Sequence, residues 1–519
     1  MKQAAAVLML WCALACGQKS APGENPATFR VAGFLTNAVT GEPVRRASVT
    51  LQFLIGAQPA QALYHVIADA GGHFEIAGAA QGQYQLWAER RGYPRQSFGG
   101  AEGILVTEDR ADIAFRMAPY AALTGKVVDE SGDAISGAAI QLIRSELQNG
   151  RRELRPALGA VTDDRGEYRI AALTQGRYYV SAYARAQAAS ENTVYPRRFF
   201  PGAQDLTTAS ALDLEPGRNQ HADFRLTPET AFHIRGQVDG WEELRGVAVA
   251  LSPRNPAERF GGTSYPARVG AEGRFELSGV AAGQYVVSAS GYEGTAMRTA
   301  SQLVAVGASD VNGVLLRPQP GSKITGQLTV ETKQGMTVPA VTVRLVPDDF
   351  VTQPVHMAQF SGTRAFQFAQ VMAGVYSLRI SVAEPFYVKS ASVGGMDALS
   401  SPVTVTESGG TAPINIEIAA NGGEVGGTVK VQDRAAAQCI VLLTRRDGMS
   451  PSQDRFAQTD QNGKFLIQSI APDDYNLFAF RDLSNVEYRN PLAMIQYSGA
   501  TVKVTEGARQ AIDLKLNEN

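Results

Sequence analysis

Cysteine, histidine and tryptophan are scarce in this 519-residue sequence: Cys 3, His 5 and Trp 3. Two of the cysteines, Cys12 and Cys16, lie in the first sixteen residues, so Cys439 stands alone downstream. One thiol cannot make an intrachain bridge, and whatever folds here is held by its cores rather than by staples. Cys439 sits in the apolar run AAAQCIVLL, where a buried thiol is expected. The histidines His65, His73, His221, His233 and His356 begin no HxxE or HExxH pair, which removes the common zinc-hydrolase spacing. No G-x-S-x-G elbow, phosphate-cradling Walker loop or G-x-G-x-x-G fingerprint is present. Neither charge sign is in excess: Lys+Arg 48 against Asp+Glu 50 leaves a net charge of -2, so bulk charge does not select nucleic acid. Sustained helical periodicity is also missing. Beyond the first residues there is no hydrophobic run long enough to cross a bilayer.

What is present begins with an address. MKQAAAVLMLWCALACGQ has one early cation, Lys2, then an apolar run from Ala4 to Ala15 and small residues before Cys16. That is the layout of a secretory signal, assigned to residues 1–15. The quartet Ala13-Leu14-Ala15-Cys16 resembles the cleavage box of bacterial lipoproteins, which implies lipidation of Cys16 and contact with a membrane only through that anchor. Plain secretion uses the same segment. Residues 16–28, including GQKSAPGENPA, read as a linker.

Glycine and proline are plentiful, Gly 52 and Pro 25, as many short strands and tight turns require. The chain is also longer than one hydrophobic core usually serves. Five aromatic pairs recur with a ten-residue spacing: Phe74 and Tyr84, Tyr168 and Tyr178, Phe275 and Tyr285, Phe366 and Tyr376, Phe465 and Tyr475. Upstream of each pair runs a strand with glycine at its third place (Gly33, Gly125, Gly236, Gly326 and Gly427), then an alternating strand such as SVTL or AIQL. DAGG, DDRG and DQNG are tight-turn sequences in which Asp accepts backbone N–H groups and Gly takes a positive φ. After each second aromatic the period is two: Tyr178, Val180 and Ala182 share one face, as do Tyr475, Leu477 and Ala479. A face kept apolar five times is a core face. The expectation is an all-β chain, a tandem array of about five antiparallel immunoglobulin- or transthyretin-like β-sandwich modules at 29–119, 120–229, 230–319, 320–421 and 422–519. Short joints after Pro119, Pro228 and Pro318 suggest a semi-rigid string.

These motifs, seen most fully in GKVVDESGDAISGAAIQLI with TDDRGEYRIAALTQGRYYVSAY, resemble the carboxypeptidase regulatory-like module. The resemblance implies a transthyretin-like sandwich, akin to bacterial B-type surface repeats and carbohydrate-binding modules, in an extracytoplasmic setting. It does not imply peptidase activity, and no cofactor is expected. B-type repeats form internal Lys–Asn cross-links, but a lysine at the matching place occurs only once, at Lys126.

Two features are candidate binding surfaces. YPRQSFGG from Tyr93 and YPRRFFPG from Tyr195 lie between the Tyr-bearing and closing strands, and Tyr93, Arg95, Tyr195 and Arg197 suit stacking on sugars and bonding their hydroxyls. By parity, Trp87, Tyr179, Tyr183, Phe478 and Phe480 point away from the core, which suits a polysaccharide or an envelope-protein partner. Ser288, Arg379 and Ser381 hold the corresponding outward places in modules three and four. The bland alternatives are an edge segment packed on its own sandwich and a face covered by a neighbour. Trp241, in DGWEEL, has no partner assignable from sequence. The reading is of an exported, non-catalytic envelope protein for adhesion, display or spacing, with carbohydrate binding as the alternative.

Overall fold

The computed structural model describes residues 28–55, 63–99, 103–185, 193–254, 265–294, 296–318, 321–331, 339–348, 355–360, 364–406, 411–446 and 454–517. The expected signal at 1–15, Cys16 and the tether lie outside them. The described residues form short strands joined by turns, with one 3-10 turn at Leu206–Thr208 and one helical turn at Pro491–Met494. They divide into two compact units: residues 1–122 with 171–175 and 215–219, and the rest.

In the first unit one sheet has the order His73–Ala80, Thr28–Asn37, Arg110–Met117. Facing it, Leu63–Ile67, Ser48–Ile55, Gly82–Arg90 and Tyr93–Phe98 form the second, with Ile104–Val106 also on Gly82–Arg90. Inward residues such as Val31, Leu51, Phe74, Tyr84 and Leu86 are buried between them. The second unit repeats this plan. One clear case pairs Ala365–Val371, Ser322–Glu331 and Ile414–Ala419 against His356–Phe360, Val341–Pro347 and Gly374–Val382.

The glycine and aromatic markers are partners. Gly33 lies directly across from Phe74, Gly236 from Phe275, Gly326 from Phe366 and Gly427 from Phe465. A Cβ on Gly326 would stand 2.1 Å from the Phe366 ring, and one on Gly125 would stand 2.8 Å from Tyr168. The ring lies over the bare backbone, and any side chain there would displace it. The second aromatics close a corner. The hydroxyls of Tyr84, Tyr285, Tyr376 and Tyr475 each donate to the carbonyl four residues upstream, at 2.8–3.1 Å. Burial pushes the Tyr84 and Tyr376 hydroxyls up to about 12, so they stay protonated donors.

In every sandwich the closing strand runs parallel to the first, and most of the remaining pairing is antiparallel. Phe34 pairs with Ala114, Val127 with Phe224, Gly236 with Val314, Leu328 with Ile416 and Val429 with Leu514. In the last sandwich Leu514–Asn517 pairs with both sheets, meeting Gly423–Val431 through Val429 and Asp473–Phe480 through Ala479. Cys439 is a fully buried thiol, and Trp241 packs into the core around Val249 and Tyr285.

The joints of the second unit have cores of their own. Val194, Ala231 and Ala281 form one small cluster, and Tyr387, Ala419 and Ala471 another. Thr193 also pairs with Thr230, carrying a sheet across the joint. Contacts are not confined to neighbours along the chain. The hairpin Ala139–Gln148/Arg151–Val161 turns at Asn149 and Gly150, φ 48° and 72°, and its tip meets residues 487–489. There the Arg489 N–H donates to the Gly150 carbonyl at 3.0 Å and Arg152 pairs with Glu487 at 2.5 Å. A string touching only at its joints therefore does not describe the second unit.

Candidate binding surfaces

The two YPR segments were expected as connections; they are strands, Tyr93–Phe98 and Thr193–Phe199. Proline is tolerated because each segment carries an irregularity at that point. Ala88 and Arg90 face Gln96 and Tyr93, while Ala182 and Ala184 face Arg198 and Tyr195. In both, the YPR strand has one residue more than its partner, a β-bulge at the Pro-Arg step. The bulge re-aims the arginine across the sheet face. Arg95 lies over the Trp87 ring with its guanidinium carbon 3.9 Å from the centroid, and Arg197 lies 4.7 Å from that of Tyr183. Arg197 also donates to the Ser181 hydroxyl at 3.1 Å, and Ser181 stands at the place that Trp87 holds in the first sandwich. The short repeat in the sequence thus encodes a bulge and a cation–π stack.

Four of the nine candidate residues are therefore brought together in pairs, Trp87 with Arg95 and Tyr183 with Arg197. Each stack leaves a half-buried ring with one face already occupied. Tyr93 leans on the core of its own sandwich and accepts a hydrogen bond from Asn37 at 3.0 Å. Tyr195 is half-buried, and desolvation and the nearby Asp129 and Glu130 raise its hydroxyl above the ordinary range.

The remaining three do not form an open face. Tyr179 packs beside Ile143, Phe199 and Leu206, under the connection that follows the YPR strand. Phe478 is 7% exposed and Phe480 0%, buried with Leu442, Val486, Tyr488 and Met494. Parity does turn them away from the main core. The segment 481–499, with its helical turn at Pro491–Met494, folds over them and makes a second core on the outer face. As an exposed platform, Phe478 and Phe480 are a correction. Phe478 still touches solvent along a cleft of about 270 Å³ bordered by Arg446, Tyr488 and Ile495.

The acidic turns have the geometry of hairpins. Each of the Asp69, Asp163 and Asp460 carboxylates accepts two backbone N–H groups at 2.8–2.9 Å, from the residues two and four places on. Lys126 points outward and is exposed, and the neighbouring Asp223 carboxylate accepts the Lys126 backbone N–H at 2.7 Å. Among the described residues no group of three or more His, Cys, Asp or Glu is placed to hold a metal ion. No described helix is long and apolar enough to cross a membrane.

Sequence reasoning missed a cluster that only tertiary structure assembles: Arg344, Arg379 and Arg489 around a cleft of about 390 Å³, walled by Asn149. Its one local signal is Asn149-Gly150, a strong hairpin-turn dipeptide that fixes the tip of the wall.

The architecture is therefore a multi-module β-sandwich protein. Residues 122–227 match the family model of the carboxypeptidase regulatory-like domain, and that sandwich is similar to such a domain. No functionally curated protein matches the chain. Solved structures similar to it include the minor pilin GBS52 of Streptococcus agalactiae, at 14% identity and TM-score 0.23, over 39% of this chain and 96% of that one. The Bacillus anthracis TIE protein is similar at 10% identity and TM-score 0.17, over 76% and 73%. The pilus adhesin SpaC of Lactobacillus rhamnosus GG is similar at 11% and 0.16, over 72% and 57%.

Proposed function

We propose that the chain is a non-catalytic, exported protein of a bacterial cell envelope, built to space and display surfaces rather than to turn over a substrate. The observation that carries this reading is the bracing of the second unit, in which joints have their own apolar clusters and a hairpin tip is clamped to residues 487–489. Among the described residues, the turn aspartates, the corner tyrosines and the YPR arginines are spent on turns, corners and stacks. The test is exposure on intact producing cells. Antibody or protease should reach the chain without permeabilisation, and acyl-chain labelling lost in C16S would mark the lipid anchor. A chain confined to the cytoplasm would end the proposal.

A second reading, neutral polysaccharide binding, is favoured by one observation: the same bulge places an arginine against an aromatic ring in two sandwiches. Retardation in gels containing a neutral polysaccharide, lost in W87A/Y183A without a fall in Tm, supports it. Unchanged retardation or none refutes it.

A further inference from the structure

We propose that the cleft at Arg344 and Arg379 is a binding site for an anionic saccharide, a sugar polymer bearing carboxylate or sulfate groups. It shares no residue with the Arg–aromatic stacks and does not rest on either reading above.

The floor of the cleft is the outer face of the sheet containing Val341–Pro347 and Gly374–Val382. Val343 and Leu345 on the first strand, and Leu378 and Ile380 on the second, point into the core. The alternate residues point out, and register sets Thr342 across from Ser381 and Arg344 across from Arg379. Two arginines thus hold directly opposed positions on neighbouring strands, where like charges cost stability unless a negative charge lies near them. Among the described residues that line the cleft one is acidic, Glu153. Among the described residues no carboxylate comes within ion-pair distance of either arginine. Glu153 pairs with Arg155 at 3.3 Å, and Asp454, whose charge reaches Arg379, pairs with Arg489 at 2.9 Å.

The walls bring one further arginine, itself paired with Asp454. Arg489 lines the cleft from one side, and Asn149, at the hairpin tip, from another. Arg379 is half-buried, and its guanidinium titrates below its ordinary range. Desolvation is the main cause, followed by the like charges of Arg489 and Arg151, with Asp454 opposing. A guanidinium held in a partly dry, positive setting gains more from an anion than one on an open surface. The planar donor fork of arginine suits carboxylate and sulfate oxygens, and the Thr342 and Ser381 hydroxyls with the Asn149 amide suit sugar hydroxyls. A volume of about 390 Å³ takes a small number of sugar units.

The experiment is native affinity electrophoresis of the full chain in gels containing polygalacturonate, dextran sulfate or plain dextran, with R344Q/R379Q beside the wild type. Wild type should be retarded by at least one anionic polymer more than by dextran, the two anionic gels separating carboxylate from sulfate recognition. R344Q/R379Q should lose affinity by roughly tenfold or more, the weight of one charge-assisted hydrogen bond. R274Q, which removes an exposed arginine elsewhere, should be retarded like wild type. A second readout guards against misfolding: galacturonate or sulfate should raise the Tm of wild type and not of R344Q/R379Q, whose own Tm should not fall. No retardation of wild type by either anionic gel overturns the proposal, and so does equal retardation of R344Q/R379Q.

Discussion

Replacing Phe480 by alanine separates a covered outer face from an open one. The ring is 0% exposed; it stacks near Phe478 with centroids 6.1 Å apart and meets Tyr497 edge-on at 5.0 Å. Removing a ring from a packed site loses both its transfer free energy and the contacts of the cavity left behind, about 3–5 kcal/mol for Phe→Ala. For a cooperative unit of about 100 residues each kcal/mol moves Tm by roughly 4–8 °C, so the transition of the last sandwich should fall by at least about 12 °C. On an open face the same change would stay within about 0.5 kcal/mol. The assay is scanning calorimetry of the full chain, with hydrogen exchange at residues 473–480 to assign the transition that moves. Y497A should act in the same direction, and F480A/Y497A should be less than additive because the two rings share one contact. An unmoved transition with unchanged exchange would refute the covered face and restore Phe478 and Phe480 as surface residues.

Three further outcomes follow from the shared architecture. In G427A the new Cβ would stand 1.8 Å from the Ile512 carbonyl oxygen, a backbone atom with nowhere to go, so the last sandwich should lose about 3 kcal/mol in calorimetry. Y376F keeps the ring but leaves the Met372 carbonyl without its donor, which should cost about 1–2 kcal/mol in denaturant melts. Asp310 accepts the His233 backbone N–H and the Arg235 guanidinium, in that order of weight, and both hold its carboxyl below the ordinary 3.8. A depressed folded pKa contributes stability that is present above 3.8 and lost as pH falls through the lower folded value. D310N should therefore flatten the acid limb of the stability curve below about pH 4, and an unaltered limb would count against the pairing.

Much of the fold was legible because its signals are local. Alternation placed Tyr84, Leu86 and Ala88 inside, and the recurring glycine and aromatic proved to be cross-strand partners. The Asp turns bind their own backbone, as their composition implied. Parity also turned Phe478 and Phe480 to the correct side. It could not show that residues 481–499 would cover them, because covering depends on how a connection returns over a sheet. The parallel closing strand is likewise set by chain routing, which side-chain alternation does not record. The opposition of Arg344 and Arg379 needs a register between strands some thirty residues apart, and Arg489 and Asn149 arrive from distant parts of the chain.

The parallel pairing of first and last strands bears on how a module meets tension. A pull through the chain enters a sandwich by its first strand and leaves by its last. Because those strands run side by side in the same direction, the pull tries to slide one along the other. All the hydrogen bonds between Ser322–Glu331 and Ile414–Ala419 then share the load together, whereas an antiparallel terminal pair would be peeled open bond by bond. Tethered at one end and pulled at the other, such a module resists as a lap joint does, and its resistance grows with the length of the overlap.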